Sequence, residues 1–286
     1  MACGETKIKR AIPRIGFLDL LEDETLALAR NGFWDALEKN GFSEKDGTLE
    51  KVYRNAQGDQ MALVQACDYM ISQEVAILAT LPTLATITAV QRTKDIPVCM
   101  LVSPRPDLAG LAAKDSSWPQ NLFGVYETLD YLDSSLALMQ SLKPELKKLG
   151  LIFNQSEPQS VDAFNQVKNY CANHGLILES LPVNNSSETQ QVTAALLSKN
   201  IDAFFALPDN VIFASFEVVK QQCDAQHIPI FTSEAGLVKR GAVASYGADF
   251  YQWGFQAGLQ AAAYLKDKTK LPKLEAVKVR VKTIKN

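Results

Sequence analysis

Short apolar runs alternate with segments of helical periodicity along most of the chain. The run 201–207 is apolar on both faces, as a buried parallel strand would be, and Pro208 ends it. Asp209 and Asn210 then suit the start of a helix, where a side-chain oxygen binds free backbone N–H groups. Elbows of this kind, at the carboxyl ends of parallel strands, are where α/β proteins bind ligands.

The same unit occurs earlier in the chain. The apolar run 75–81 ends at Pro82 and Thr83 and precedes another helical segment, so Leu81-Pro82-Thr83 echoes Leu207-Pro208-Asp209. Three further pairs of segments repeat in the same order: 14–18 with 148–152, 40–42 with 174–176, and 96–98 with 228–230. We therefore predict one βαβαβ plan used twice, with a ligand cleft between the copies.

The periodicity predicts the following elements. Strands are expected over residues 11–18, 49–54, 75–81, 96–102, 122–126, 149–153, 177–182, 203–207, 228–232 and 242–246. Helices are expected over 24–40, 58–72, 83–92, 129–142, 159–173, 187–199 and 211–226. A helix over 250–266, rich in Ala and Gly, is expected to return to the first lobe. The alternation over 274–282 predicts a half-exposed strand on the second lobe.

Strands that alternate with helices imply parallel sheets and right-handed crossovers. We predict an α/β fold of two lobes, each a parallel sheet flanked by helices. Lobe 1 is assigned residues 1–122 plus about 249–271, and lobe 2 residues 123–248 plus about 272–286. Crossings between the lobes near 122–126, 247–249 and 271–274 would form the hinge of a clamshell.

The composition and the motifs of the sequence argue against several classes of function. The length of 286 residues suits two ordinary domains. A net charge of −3 gives no basic field for a phosphate backbone, so no nucleic-acid partner is predicted. The sequence contains no dinucleotide fingerprint, phosphate loop, nucleophile elbow or metal-ligand spacing. We therefore predict no cofactor, no metal and no enzymatic activity.

The polar residues that follow the strands are the candidate binding groups. A helix N-terminus suits a carboxylate and a nearby acidic side chain suits an ammonium, so together they would hold an amino acid zwitterion. Thr83 and Ser160 are expected to meet the carboxylate, and Asp209 the ammonium; helix capping is the alternative for each of them. The predicted ligand-binding set is Thr83, Asn154, Ser156, Ser160, Asp209, Asn210 and Glu234, with Tyr126 and Tyr246 stacking on an apolar part of the ligand.

The run 149–160 resembles the "IGVIYNSGEANS" segment of bacterial ABC-transporter substrate-binding lipoproteins of the tryptophan/tyrosine-binding type. Further matches stand in family order at 55–59, 93–97, 185–188, 208–210, 238–242 and 249–254. The chain departs from the family pattern at 20–23, 103–107 and 119–121, all predicted near the cleft. Those departures leave open whether the ligand is an aromatic amino acid.

This resemblance implies a type I periplasmic-binding fold that closes on a small ligand, an amino acid, and delivers it to an ABC permease and ATPase. It implies an extracytoplasmic protein, periplasmic or anchored to the membrane. Ala-Cys-Gly at residues 2–4 resembles the end of a lipobox, so Cys3 is the expected lipidation site and its lipid the only membrane contact. A ligand-sensing receptor module of the same fold and, more remotely, a small-molecule enzyme are the alternatives.

Overall fold

The computed structural model describes residues 12–112 and 117–285. Cys3, the expected lipidation site, lies outside the described residues. The strands are β1 (Arg14–Asp19), β2 (Glu50–Asn55), β3 (Ile77–Leu81), β4 (Val98–Met100), β5 (Leu122–Tyr126), β6 (Lys148–Phe153), β7 (Ile177–Pro182), β8 (Ala203–Ala206), β9 (Ile230–Glu234), β10 (Ala244–Ala248), β11 (Glu275–Ala276) and β12 (Val281–Ile284). The helices are α1 (Glu24–Lys39), α2 (Gln60–Ser72), α3 (Thr83–Arg92), α4 (Leu132–Leu142), α5 (Pro158–Asn173), α6 (Thr189–Leu197), α7 (Asn210–Ala225), α8 (Ala235–Arg240) and α9 (Phe250–Lys266).

Two sheets form the centres of two lobes, as the duplicated pattern predicts. In the described part of the chain the first has the order β11-β5-β4-β3-β1-β2 and the second β12-β10-β9-β8-β6-β7. All pairings are parallel except that of β10 with β12, which is antiparallel. The central strands β3 and β8 are buried at every position, whereas edge strands β2 and β7 are half exposed. The α/β fold with two parallel-dominated sheets is therefore confirmed.

The lobe boundaries differ from the predicted ones at two places. The predicted division after residue 122 falls inside β5, which pairs with β4 and belongs to the first sheet. The strand predicted over 274–282 is two short strands: β11 joins the first sheet and β12 the second. No turn-forming residues stand between β11 and β12. The alternation of apolar and basic residues therefore continues across the change from the first sheet to the second and predicts a single strand.

Helix α9 returns to the first lobe and packs against α1, as expected from its small residues. The contact brings the two backbones together. A Cβ on Gly32 would lie 2.0 Å from the Tyr251 carbonyl oxygen, and one on Gly254 would lie 1.8 Å from that of Ala29. Glycine is therefore required at both positions for this helix pair to approach so closely.

Three crossings connect the lobes at 127–131, at residue 249 and at 277–280, between elements of different sheets. Side chains tie these crossings to one another. The indole Nε1 of Trp253 donates to the carbonyl oxygen of Val279 at 3.4 Å. The guanidinium of Arg280 lies 5.1 Å from the ring centroid of Tyr131 and donates to Thr128 Oγ1 at 3.4 Å. The base of the cleft is thus one connected cluster.

Candidate functional site

The carboxyl ends of the two sheets face each other across the cleft and enclose a small cavity. We call it the inner cavity; its volume is about 10 Å³. The first lobe contributes Pro82, Thr83 and Val102, the second lobe Gln159, Pro208, Asn210 and Phe213, and the crossings Glu127 and Phe250. A cavity of this size is at the lower limit for a single water molecule, so an amino acid can enter only if the lobes separate.

A larger opening lies beside the inner cavity, with Asn210 in the wall of both. This outer cleft has a volume of about 490 Å³. Its first-lobe wall consists of Leu20, Leu21, Glu22, Gln57, Gly58, Gln60 and Leu84, and its second-lobe wall of Asn154, Ser156, Glu157, Asn184, Asn185, Ser186, Asn210, Val211 and Ala214. Amide and hydroxyl groups predominate on the second-lobe side.

Helix α3 presents its N-terminus to the inner cavity without a side-chain cap. Its N-cap residue is Pro82, which makes no capping hydrogen bond, and Thr83 is the first helical residue. The first turn of a helix carries free N–H groups and the positive end of the helix dipole. This end of the first lobe therefore suits a carboxylate.

Asp209 occupies the matching elbow of the second lobe and is fully buried. Its Oδ1 accepts from the backbone N–H groups of Val211 and Ile212, at 2.8 and 3.1 Å, and so caps α7. Its Oδ2 accepts from the Asn154 N–H at 2.7 Å and from the Ser160 hydroxyl. Burial raises the pKa of Asp209, and these donors oppose the rise. Both oxygens are thus used inside the second lobe.

Glu157 organises the polar groups that do reach the cleft. Its carboxylate accepts from the Gln159 amide, from the Asn210 N–H at 3.2 Å and from Asn154 Nδ2 at 3.3 Å. Burial, followed by repulsion from Asp209, raises the pKa of Glu157 to about 8. Gln159 Oε1 and Asn210 Nδ2 are buried and make no hydrogen bond of normal geometry, although the Asn210 side chain lies near enough to the Glu157 carboxylate to lower its pKa. The inner cavity therefore offers one unused acceptor and one unused donor.

Two further buried carboxyl groups lie at the base of the cleft. Glu127 lines the inner cavity and accepts from the Tyr131 hydroxyl at 2.9 Å. Burial raises the pKa of Glu127 to about 7. Burial, and then the charge of Glu127, raise the pKa of Glu234 well above its usual value; Glu234 Oε2 has no hydrogen-bond partner. Arg280 is the cation that opposes both shifts.

Two aromatic rings close the inner cavity, one from α7 of the second lobe and one from the start of α9, next to the crossing at residue 249. Phe213 and Phe250 are both buried and meet edge to face, with centroids 5.7 Å apart. Tyr126 and Tyr246, the rings expected from the sequence, line neither cavity. Tyr126 packs against Trp118 at 5.8 Å, and Tyr246 lies opposite Lys282 in the β10–β12 pair.

The predicted site residues thus fall into groups. Thr83 and Asn210 line the inner cavity, and Asn154 and Ser156 line the outer cleft. Ser160 and Asp209 lie behind this surface. Glu234 borders a separate cavity of about 360 Å³ between α1, α8, α9 and β12. These roles remain predictions.

Sequence reasoning named Thr83 and Asn210 of the nine residues that line the inner cavity. Among the seven that it did not name as ligand-binding, the polar and aromatic ones are Glu127, Gln159, Phe213 and Phe250. The rule that selects residues after strand ends would have found Glu127, which directly follows β5. Gln159 stands inside the run 149–160 that carried the family resemblance. The two phenylalanines lie on helices with many apolar positions, where no local signal separates a cleft residue from a core residue.

Comparison with known sequences identifies relatives. The profile of the family described as ABC transporter substrate binding protein matches residues 14–282. A tyrosine-binding protein of Clostridioides difficile (strain R20291) is 33% identical over 258 residues, covering 89% of this chain and 73% of the relative. An uncharacterized protein of Rickettsia prowazekii is 22% identical over 266 residues, covering 93% and 78%.

Several solved structures superpose on this chain over nearly its whole length. A conserved domain protein of Vibrio cholerae superposes with a TM-score of 0.88 at 26% identity, covering 96% of this chain and 92% of the other. The ABC domain of Streptococcus pneumoniae in complex with L-Trp gives 0.84 at 24% identity, covering 94% and 91%. A ligand-free, open substrate-binding protein with adhesive properties from Clostridium difficile gives 0.69 at 25% identity, covering 96% and 92%.

Within residues 12–112 and 117–285, no helix has the length and apolar character needed to cross a membrane. The relatives described above include proteins that bind small molecules. Because the family profile spans nearly the whole chain and a one-third-identical relative covers most of it, the chain belongs to the ABC transporter substrate binding protein family.

Proposed function

We propose that this protein is the solute-binding component of an ABC importer and captures an amino acid, preferably an aromatic one, in the inner cavity by hinge closure. Substrate-binding proteins of ABC transporters are extracytoplasmic, bind small molecules and work with the other transporter components. The partners of the proposed role are accordingly a permease and an ATPase. An acylated Cys3 would hold the protein at the membrane.

The observation that carries the proposal is the set of unused polar groups in the inner cavity. The uncapped α3 N-terminus and Asn210 Nδ2 provide donors for a carboxylate. Gln159 Oε1 and the Glu127 carboxylate provide acceptors for an ammonium. Leaving a buried polar group unpaired costs about 1–3 kcal/mol, so a zwitterion that pairs with these groups gains affinity.

The apolar part of the site supports an aromatic ligand. Phe213 and Phe250 offer ring edges and faces beside the polar groups, and aromatic pairs contribute about 0.5–1.5 kcal/mol beyond their buried area. The tyrosine-binding relative and the structure with bound L-Trp point to the same ligand class. L-Tyrosine and L-tryptophan are therefore the first ligands to test.

The small volume of the inner cavity supports hinge closure, because the cavity admits no amino acid unless the lobes part. This chain superposes better on the L-Trp complex than on the ligand-free, open structure, although the sequence identities are nearly equal. That difference supports an angle between the lobes that varies among proteins of this fold. Structures with bound 5-methylthioribose or D-allose, and a LacI-family repressor, superpose at only 10–17% identity, which indicates shared fold alone.

A thermal-shift screen of the twenty amino acids, with 5-methylthioribose and D-allose as controls, tests the ligand class. A true ligand at a hundredfold excess over its Kd adds about 2.7 kcal/mol of stability. We expect L-tyrosine or L-tryptophan to give the largest shift. A shift with a sugar and none with any amino acid would overturn the proposal.

An isosteric pair of variants tests the site itself. Asn210→Asp replaces the unused donor of the inner cavity with an oxygen, and calorimetry should register weaker binding of the amino acid found in the screen. Asn185→Asp makes the same change in the outer cleft, where Asn185 is exposed, and should leave the Kd within about threefold. Equal effects of the two substitutions would argue against the inner cavity.

A further inference from the structure

Arg240, the last residue of α8, connects the two lobes through its guanidinium group. In the first lobe, its Nη1 donates to Asp23 Oδ2 at 2.7 Å and to Thr25 Oγ1 at 3.0 Å. In the second lobe, its Nη2 donates to the carbonyl oxygen of Phe213 and to Glu217 Oε2, each at 2.8 Å, and its Nε donates to Glu217 Oε1 at 2.8 Å. All five N–H groups of the arginine are therefore used.

This bridge is buried, unlike an ordinary surface ion pair. The side chains of Arg240 and Asp23 are only 10% and 3% exposed. The guanidinium also lies over the ring of Phe216, 5.2 Å from its centroid. Among ion pairs of the described residues, the Arg240–Asp23 pair joins an α1 cap to an α8 end, whereas the other pairs stay within one lobe or one crossing.

The position of the bridge links it to the proposed ligand site. Asp23 caps α1, which follows β1, and α8 follows β9, so the bridge joins helices that leave the cleft-facing ends of the two sheets. The second-lobe contact of Arg240 is with the backbone of Phe213, whose ring forms part of the inner cavity. Separation of the lobes would break the bonds to Asp23 and Thr25 and leave the three second-lobe bonds intact.

We infer that Arg240 is a positioning residue that latches the closed lobes and thereby sets the lifetime of the bound ligand. This inference rests on the proposed function, because a latch has a role only in a protein that opens and closes. The latch acts mainly on release: the bonds to Asp23 and Thr25 belong to the closed state whether or not a ligand is bound, and opening must break them, so they slow dissociation more than association. Truncating one partner of a buried charge pair typically acts on the dissociation rate.

Stopped-flow fluorescence with L-tyrosine and L-tryptophan measures both rates in three variants. Arg240→Gln should raise the dissociation rate by about 10-fold or more and change the association rate by less than about threefold. Asp23→Asn keeps a capping oxygen for α1 and removes only the charge, so it should fold normally and also speed dissociation. Arg92→Gln is the matched control, since Arg92 makes a two-bond pair with Asp68 inside the first lobe, and it should change neither rate.

The double variant separates a latch from a general loss of structure. Asp23→Asn combined with Arg240→Gln should dissociate no faster than Arg240→Gln alone, because both substitutions break the same contact. Additive effects of the two substitutions, or wild-type dissociation rates in both single variants, would overturn the latch.

Small-angle scattering of the ligand-free protein tests the role of Arg240 even if the proposed ligand is wrong. If the wild-type protein binds neither amino acid, the proposed ligand is wrong and scattering alone decides on the latch. Arg240→Gln and Asp23→Asn should then give a larger radius of gyration than the wild type and Arg92→Gln. An unchanged radius in both would overturn the latch as well.

Discussion

The two strand-to-helix elbows of the duplicated plan occupy matching places in the two lobes, but their helix N-termini are capped differently. In the second lobe, Asp209 caps α7 and holds the neighbouring loop through Asn154 and Ser160, so the helix end is satisfied internally. In the first lobe, Pro82 offers no cap and α3 keeps its N-terminal donors. One copy thus has a helix start that is satisfied internally, and the other leaves free N–H groups that suit an anion. A repeated backbone can divide the recognition of one ligand between its copies by changing one capping residue.

The most direct way to break this comparison is to make the first elbow resemble the second. Thr83→Asp places a carboxylate at the α3 N-terminus, where it competes with and repels the ligand carboxylate. We expect affinity for L-tyrosine or L-tryptophan to fall by ~2–5 kcal/mol, measured by calorimetry. Thr83→Asn has the same shape without the charge and should lose less. Equal losses would indicate a steric effect and would contradict an anion site at α3.

The converse change removes the internal role of the second elbow. Asp209→Asn turns an amide towards the Asn154 N–H and the Ser160 hydroxyl, which lose their acceptor. The free energy of unfolding should fall by about 1–3 kcal/mol in a denaturant titration. Affinity in the folded variant should change far less than in Thr83→Asp. A stable protein that no longer binds amino acids would instead place Asp209 at the ligand ammonium.

The carboxyl group of Glu127, at the base of the cleft between the two elbows, should make ligand affinity depend on pH. Glu127 faces Tyr131, Glu234 and Arg280, with Asp162 nearby, and burial raises its pKa to about 7. An ammonium ligand prefers the ionised carboxylate, so binding should release a proton, and affinity should fall up to about tenfold per pH unit below 7. Calorimetry in buffers of different ionisation enthalpy counts the proton. Glu127→Gln should abolish the release; a wild-type Kd that is constant between pH 5.5 and 8 would contradict the assignment.

The ligand-free protein should show the opposite dependence on pH. Because the pKa of Glu127 is higher in the folded state than in the unfolded state, the folded state binds more protons between about pH 4.5 and 7. This group alone therefore makes the ligand-free protein less stable as pH rises through that window. Unfolding curves of the wild type and Glu127→Gln, compared at pH 5 and pH 8, isolate its contribution; a smaller loss of stability in the wild type than in the variant would contradict the raised pKa.

The smallest expected effect concerns the aromatic wall. Phe213→Leu keeps an apolar side chain and removes the ring, so affinity for an aromatic amino acid should fall by about 0.5–1.5 kcal/mol while that for L-leucine changes little. Phe164→Leu is the control: Phe164 stacks on Phe153 with centroids 4.2 Å apart and lines neither cavity. The same loss in both variants would indicate that the wall makes no specific ring contact.

Periodicity was sufficient for the architecture and insufficient for the contacts across the cleft. Buried runs such as 75–81 and 203–207 indicate central strands because no charged residue interrupts them. The six-residue helix α8 is too short to show a helical period, and it carries Arg240, the residue that reaches the other lobe. Asp209 stands at its elbow as predicted, but the sequence gives no sign that Asn154 and Ser160, about fifty positions away, already use its second oxygen.

The close contact between α1 and α9 has a consequence for the order in which the chain acquires structure. Gly32 and Gly254 allow two helices separated by more than two hundred residues to touch. A chain emerging from its N-terminus has made most of the second lobe, from α4 to β10, before α9 exists. The first lobe, although synthesised first, keeps Ala29 and Phe33 of α1 uncovered until residues 250–266 arrive. The lobe that begins the chain is therefore completed only after most of the second lobe exists, and a chain interrupted before α9 would expose that face of α1 to chaperones and proteases.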